Sequence, residues 1–389
     1  MNEKKLIPNI RFKGFQEEWK KTRIKNIVQY SSSSFSISEL KENNEGNTYP
    51  VYDATGTKYY SKKFDMHDDY IAIIKDGSNV GKTRLLPAKT SVLSTMGYLK
   101  ALNSDILFDF YSITNTNFDK YKVGSGIPHI YFSDYKKECK LIPKISEQQK
   151  IGTFFAKLDR LLDLQQQKLD QLELLKKALL QKLFPKQDAK IPELRFKGFA
   201  EEWKKEELGS LSDIVRGASP RPIQDKKWFS KDSNIGWLRI SDVTEQNGKI
   251  YHLEQKLSPL GQEKTRVVKN KHLLLSIAAT VGSPVINYIP TGVHDGFLIF
   301  LNPQFNIDFM FQWLTYYKNN WAKYGQPGSQ VNLNSKIVKN QRIYIPGLNE
   351  QQKIGNLFAK IDRLIELQNK KFDNLKQVKK SLLQNMFVE

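Results

Sequence analysis

Residues 147–184 read EQQKIGTFFAKLDRLLDLQQQKLDQLELLKKALLQKLF, and residues 350–387 read EQQKIGNLFAKIDRLIELQNKKFDNLKQVKKSLLQNMF. The second copy follows the first at a constant offset of 203 positions, without a gap. A repeat of this kind is settled before any local reading, because it sets the architecture. Here each copy closes one half of the chain.

Both copies predict one long helix. Ser146 and Asn349 are the expected N-caps, with Glu147 and Glu350 next and Gln149 and Gln352 at the third helical position. Pro143 and Pro346 lie just upstream. Heptad spacing gives Ile151, Leu158, Gln165, Leu172 and Leu179 in one row, and Phe154, Leu161, Lys168 and Leu175 in another. The second copy gives Ile354, Ile361, Gln368, Leu375 and Leu382, then Leu357, Leu364, Lys371 and Val378. A third row, Phe155, Leu162, Leu169 and Leu183, widens the stripe beyond one partner helix. Such a helix would reach roughly 55 Å at 1.5 Å per residue, too long for a lid over one domain. The expectation is a coiled coil between the two helices. Gln165 and Gln368 hold the same polar seam position, and a polar seam residue can fix register.

A second repeat opens each half: IPNIRFKGFQEEWKK from Ile7 and IPELRFKGFAEEWKK from Ile191. The plan is tag, variable segment, long helix, then the same again. The domains expected are residues 1–146, helix 147–184, linker 185–190, residues 191–349, and helix 350–389. Because the linker is short and the halves repeat head to tail, an antiparallel helix pair is expected. The variable domains would then sit at its opposite ends, with Gln165 and Gln368 near an approximate two-fold axis.

The variable segments, 22–142 and 206–344, differ in sequence but share an outline. YIAIIKDGSNVG from Tyr70 reads as a strand into a glycine turn, and SVLST and GYLKALNS as further strands. HLLLSIAATVG from His272, PVINYI and GFLIFLN repeat them, followed by a helix over 305–324. The fold class expected is α+β, with two mixed α/β domains separated by the helix pair in a pseudo-two-fold repeat. Like frames around unlike inserts suggest one spacer carrying two different readers.

The chain has 389 residues and a net charge of +20, from 61 basic against 41 acidic residues, which points to a polyanion. Its one cysteine, Cys139, excludes a disulfide framework and a cysteine-based zinc site. The opening MNEKKLIPNI shows no apolar core long enough for a signal peptide and no apolar run approaches membrane-spanning length, so a cytoplasmic location away from membranes is expected.

Motifs that suggest catalysis are each broken. Gly77–Thr83 resembles a phosphate loop but lacks its first glycine, where Asp76 stands, and no helix follows. Asn302-Pro303-Gln304-Phe305 resembles the adenine-gripping element of N6-adenine methyltransferases, but Gln304 interrupts it and no glycine-rich cofactor loop accompanies it. The Glu-x-Lys triplets at Glu18, Glu138 and Glu202 lack an upstream Pro-Asp pair. The histidines His67, His129, His252, His272 and His294 show no metal spacing. No catalytic, cofactor or metal residue is assigned.

Nucleic acid would be read by basic and amide side chains in the variable segments. The first offers Lys58, Tyr59, Tyr60, Lys62 and Lys63, then Lys75, Asn79, Lys82 and Arg84. The second offers Arg216, Ser219 and Arg221 in a proline-rich turn, then Lys226, Lys227, Arg239, Lys264, Arg266, Gln330 and Asn332.

The chain resembles the specificity subunits of type I restriction-modification systems over almost its whole length. The resemblance rests on PNIRFKGFQEEW and PELRFKGFAEEW, on IPKISEQQKIGTFFAKLDRLL and IPGLNEQQKIGNLFAKIDRLI, on GASPRP at 217–222, and on LLQKLF and LLQNMF. It implies that each variable segment reads one half of a bipartite site in double-stranded DNA. It also implies that the helices set the gap and dock two modification (methyltransferase) subunits. Those partners would carry S-adenosylmethionine and methylate adenine. Restriction subunits would add ATP- and Mg-dependent translocation and cleavage. The alternative class is a self-contained nuclease or adenine methyltransferase with degenerate motifs.

Overall fold

The computed structural model describes residues 6–44, 46–186, 189–324 and 333–388. The chain divides into two units. One comprises Met1–Gln167 with Lys370–Glu389, the other Lys168–Asn369. Each unit therefore holds one variable segment, the first part of one long helix and the last part of the other.

In the first unit, Val28–Ser32, Met96–Ala101, Tyr70–Ile74 and Thr83–Leu86 form an antiparallel sheet in that order. Tyr70–Ile74 is buried throughout, as its uninterrupted apolar run requires. A smaller sheet orders Lys58–Ser61, Tyr49–Tyr52 and Ser91–Val92. In the second unit, Asp213–Arg216, Phe297–Leu301, His272–Ser276 and Pro284–Asn287 repeat the antiparallel order, and Lys249–Ile250 adds a parallel edge. Its smaller sheet orders Gly236–Trp237, Thr291–Val293 and Arg266–Val268. The extra length of this half lies between the strands Asp213–Arg216 and His272–Ser276. It builds Lys249–Ile250, the short helix Pro259–Glu263 and Arg266–Val268.

The strand-to-helix corner is the same in both units. Asn103 and Asn302 take left-handed φ values of 54° and 48°, which asparagine tolerates. Asp105 and Asn306 then cap the helices Ile106–Thr114 and Ile307–Tyr317 by accepting from Phe108 N and Phe309 N, both at 2.9 Å.

The long helices span Ile145–Leu183 and Leu348–Met386. They begin earlier than expected. Gln148 N and Gln351 N donate to Lys144 O and Gly347 O, so Ser146 and Asn349 lie inside the first turn and cap nothing. The acids and glutamines after them have other tasks. Arg11 grips the buried Glu147 through Nε and Nη2, each at 2.7 Å, and Arg195 grips Glu350 at 2.8 Å twice. Gln148 donates to Pro143 O at 2.8 Å and accepts from Asp105 N at 3.0 Å. Gln351 does the same with Pro346 O and Asn306 N, at 2.8 and 2.9 Å. Gly152 lies so close to the capped corner that a Cβ would stand 2.6 Å from Asp105 Oδ1.

Helix pairing is antiparallel in each unit. Asp159 takes Tyr111 Oη at 2.7 Å and an ion pair from Lys379. Asp362 takes Lys176 and Lys249, both at 2.7 Å. Burial raises the Asp362 pKa, but the two lysines outweigh it and hold the group below its usual range. These pairs are the same contact in the two repeats. So are the helix ends: Phe387 packs on Trp19, Phe108 and Phe155 at 6.3, 5.3 and 5.9 Å between centroids. Phe184 packs on Trp203, Phe309 and Phe358 at 6.4, 5.4 and 6.3 Å. The tag holds each end by its backbone, through Ile10 N to Asn385 O and Leu194 N to Lys182 O, both at 2.9 Å. Along the long helices Gln165 is buried and Gln368 half-buried, whereas Leu161, Leu164, Leu364 and Leu367 stay exposed.

Two predictions follow from this packing. Removing a buried phenyl ring costs about 3–5 kcal/mol. Phe387→Ala should therefore loosen the unit holding Trp19, and Phe184→Ala the unit holding Trp203, as read by hydrogen exchange of each core. Second, Asp109 is fully buried with Oδ1 unpartnered, and burial pushes its pKa up to about 7, against the Ser104 hydrogen bond that lowers it. Its counterpart after the second cap is Met310. The folded-state pKa lies above the ordinary 3.8, so the folded state prefers the protonated acid, and the penalty grows as pH rises towards 7. Asp109→Met should stabilise by roughly 4 kcal/mol more at pH 8 than at pH 4 in denaturant titrations.

Candidate nucleic-acid interface

The second unit gathers three of the candidate residues around one acid. The strand Asp213–Arg216 runs into the turn 217–222. Gly217 crosses the main chain of His294 so closely that a Cβ would stand 2.1 Å from its carbonyl oxygen. This seats the turn on Asp295. Ser219 Oγ donates to Asp295 Oδ1 at 2.7 Å, and Arg221 Nη2 to Oδ2 at 2.8 Å. Arg216 Nε donates to the Asp295 carbonyl at 2.6 Å. Burial raises the Asp295 pKa, but the Ser219 bond and the Arg221 and Arg216 charges win and hold it below the usual carboxylate range.

His294 packs between Trp237, tilted at 5.7 Å, and Phe297, edge-on at 4.8 Å. Burial lowers its pKa, so the ring is neutral at pH 7. Nδ1 accepts from Gly296 N at 2.9 Å, which leaves the proton on Nε2. Ser219, Arg221, Ile223, Trp237, Arg239, Ile240, His294 and Asp295 line a cleft of about 330 Å³. Arg239 also has a local duty, bridging to Asp242 through Nε at 3.2 Å and Nη2 at 2.8 Å. Donors therefore dominate the cleft, with Asp295 supporting Ser219 and Arg221 and Asp242 supporting Arg239.

The remaining candidates of this unit do not line that cleft. Lys227 lies over the Trp228 ring at 4.5 Å and pairs with Asp225 at 2.9 Å. Lys226, Lys264 and Arg266 are exposed. Gln330 and Asn332 lie outside the described residues.

In the first unit the candidates fall on two elements. Lys58 and Tyr60 belong to the strand Lys58–Ser61, with Tyr59 and Tyr60 half-buried and Lys62 and Lys63 exposed beyond its end. Lys75, Asn79 and Lys82 belong to the turn between Tyr70–Ile74 and Thr83–Leu86, where Lys82 Nζ donates to Asn79 Oδ1 at 2.6 Å. Beside them His129 Nδ1 meets Asp76 Oδ1 at 2.7 Å. Arg84 is a brace: Nη2 donates to Ala54 O at 2.9 Å, and its guanidinium covers Gly56.

The motifs that resemble catalytic ones have structural roles. Gly77–Thr83 closes a hairpin, and Gly81 packs on Phe118. Asn302 bonds Asp213 at 2.9 Å, and Phe305 is core. Glu138 serves Lys120 and Tyr121. Among the described residues no group of three His, Cys, Asp or Glu could hold a metal, and no helix is long and apolar enough to cross a membrane. Composition gives no warning of Asp295 as the hub. The one signal is position: His294-Asp295 stands directly before Gly296-Phe297-Leu298, where the two halves match.

The chain matches the family described as the type I restriction modification DNA specificity domain over residues 16–174 and 200–377. It is 25% identical to the type I restriction enzyme MjaVIII specificity subunit of Methanocaldococcus jannaschii, covering 94% of this chain and 91% of that protein. The putative MjaX specificity subunit of the same organism is 23% identical over 62% of this chain and 56% of its own length. The fold matches a type I restriction-modification S subunit from M. genitalium with a TM-score of 0.71 at 15% identity, covering 98% and 99% of the two chains. The repeated frame, the two mixed α/β units on paired helices and these matches together show that the chain belongs to the type I restriction-modification specificity-subunit family, the DNA-binding and non-catalytic component of its complex.

Proposed function

We propose that each variable segment of this specificity subunit reads one half of a bipartite target in double-stranded DNA, and that the long helices set the gap between the halves. The observation that carries this is the contrast between frame and insert. Glu147 and Glu350, Gln148 and Gln351, Asp159 and Asp362, and Phe184 and Phe387 make matching contacts in both units. The faces carrying the candidate DNA residues share no such match. Gln165 and Gln368 fix the register of the helices. The exposed Leu161, Leu164, Leu364 and Leu367 offer apolar docking points for two modification subunits. Those partners hold S-adenosylmethionine and methylate adenine, and restriction subunits use ATP and Mg.

Exchanging residues 22–142 for the same segment of a relative should change one half of the methylated target and leave the other intact, as read by mapping adenine methylation across a host genome. A change in both halves would contradict independent reading. The purified chain alone should transfer no methyl group from S-adenosylmethionine to DNA. Turnover without partners would favour the self-contained enzyme instead.

A further inference from the structure

The basic residues of the second unit are held in two distinct ways. Lys226, Lys264 and Arg266 are exposed, and no carboxylate partner is found for them among the described residues. Such groups suit phosphates, where charge matters more than direction. Arg221 differs. Its side chain is 73% exposed, yet Nη2 is tied to Asp295 at 2.8 Å. Asp295 is itself fixed by Ser219, whose Oγ donates to its carboxylate at 2.7 Å and accepts from its backbone N–H at 3.2 Å. The turn carrying Arg221 is pinned by Gly217 N to Phe297 O at 2.9 Å and Ala218 N to Val293 O at 3.0 Å, so both ends of the pair rest on sheet strands.

Two consequences follow. The carboxylate offsets much of the guanidinium charge, which weakens its attraction to phosphate. It also anchors the fork at Nη2, which narrows its orientations while the exposed side chain keeps other N–H groups open to a ligand. A planar fork with oriented donors matches two acceptors at fixed spacing, and in the major groove that pair is O6 and N7 of guanine. Lysine cannot reproduce the fork, and an arginine without its carboxylate would search many rotamers before pairing.

We propose that Arg221, oriented by Asp295, is a specificity-determining residue that reads one guanine in the half-site contacted by the second variable segment. The proposal rests on the DNA-reading function given above and adds a base and a residue to it.

The test uses the full chain co-expressed with its modification subunits. The half-site of the second segment is first identified by exchanging residues 206–344. Arg221→Ala, Arg221→Lys, Asp295→Asn and Lys264→Ala are then compared by binding to DNAs carrying each base at each position, over a range of salt. Thermal melts confirm folding, which the exposure of Arg221 favours. Arg221→Ala should lower the preference for guanine at one position about tenfold to a hundredfold, with other positions and the salt slope unchanged. Arg221→Lys should not restore it, and Asp295→Asn should relax the same position more weakly. Lys264→Ala should weaken all sequences alike and reduce the salt slope by about one. The proposal is overturned if Arg221→Ala weakens every sequence equally, if it leaves every position intact, or if that half-site contains no guanine. If the unmodified complex recognises no bipartite target, the DNA-reading function itself fails, a result distinct from loss of the Arg221 effect alone.

Discussion

Everything in this structure depends on how each core is closed by an aromatic residue at the end of a long helix. Phe387 completes the core that contains Trp19, Phe108 and Phe155, and Phe184 completes the one that contains Trp203, Phe309 and Phe358. The helix that begins in one unit thus ends as part of the other unit's interior. A residue near position 387 is as necessary to the first unit as Tyr70 or Leu99. This explains why the tag and the helix repeat together. The tag supplies the tryptophan and the backbone clamp, the helix supplies the phenylalanine, and neither can drift without the other.

The helix starts are fixed by a second device of matched polarity. A buried carboxylate left without its arginine would cost about 3–5 kcal/mol, so Arg11 and Arg195 bind the tags to Glu147 and Glu350. Gln148 and Gln351 then satisfy the backbone at the strand-to-helix corner. That corner leads directly from the strands Met96–Ala101 and Phe297–Leu301. In the second unit, Asp295 lies just before the strand. The candidate DNA-facing hub and the helix anchor therefore sit at opposite ends of one rigid strand, and the site inherits the rigidity of the frame.

Much of this was legible in the sequence because repeats and apolar runs are local signals. The two long helices and their pairing could be read from residues 147–184 and their copy, the repeated strands from the apolar runs of the variable segments, and the excess of positive charge from the whole composition. The helix starts were misread. Ser146 and Asn349 look like caps, but the helical hydrogen bonds start two residues earlier, at the carbonyls of Lys144 and Gly347, and the following side chains are used for docking. The heptad rows were also only partly core, since Leu161 and Leu364 fit the pattern and yet face solvent. At the site, Arg216, Ser219 and Arg221 stood out as a basic turn, whereas Asp295 did not. An acid that organises three residues 74–79 positions away leaves no local trace. The bracing role of Arg84 is hidden for the same reason, because its partner Ala54 is 30 positions distant.

The central claim is that the paired helices act as a ruler between two readers. The direct test inserts four helical residues after both Gln165 and Gln368, lengthening each helix by about 6 Å, followed by mapping of adenine methylation with the modification subunits present. The ruler reading predicts both half-sites unchanged and a gap longer by about two base pairs, given roughly 3.4 Å per base pair along the duplex. An unchanged gap with unchanged half-sites would contradict it.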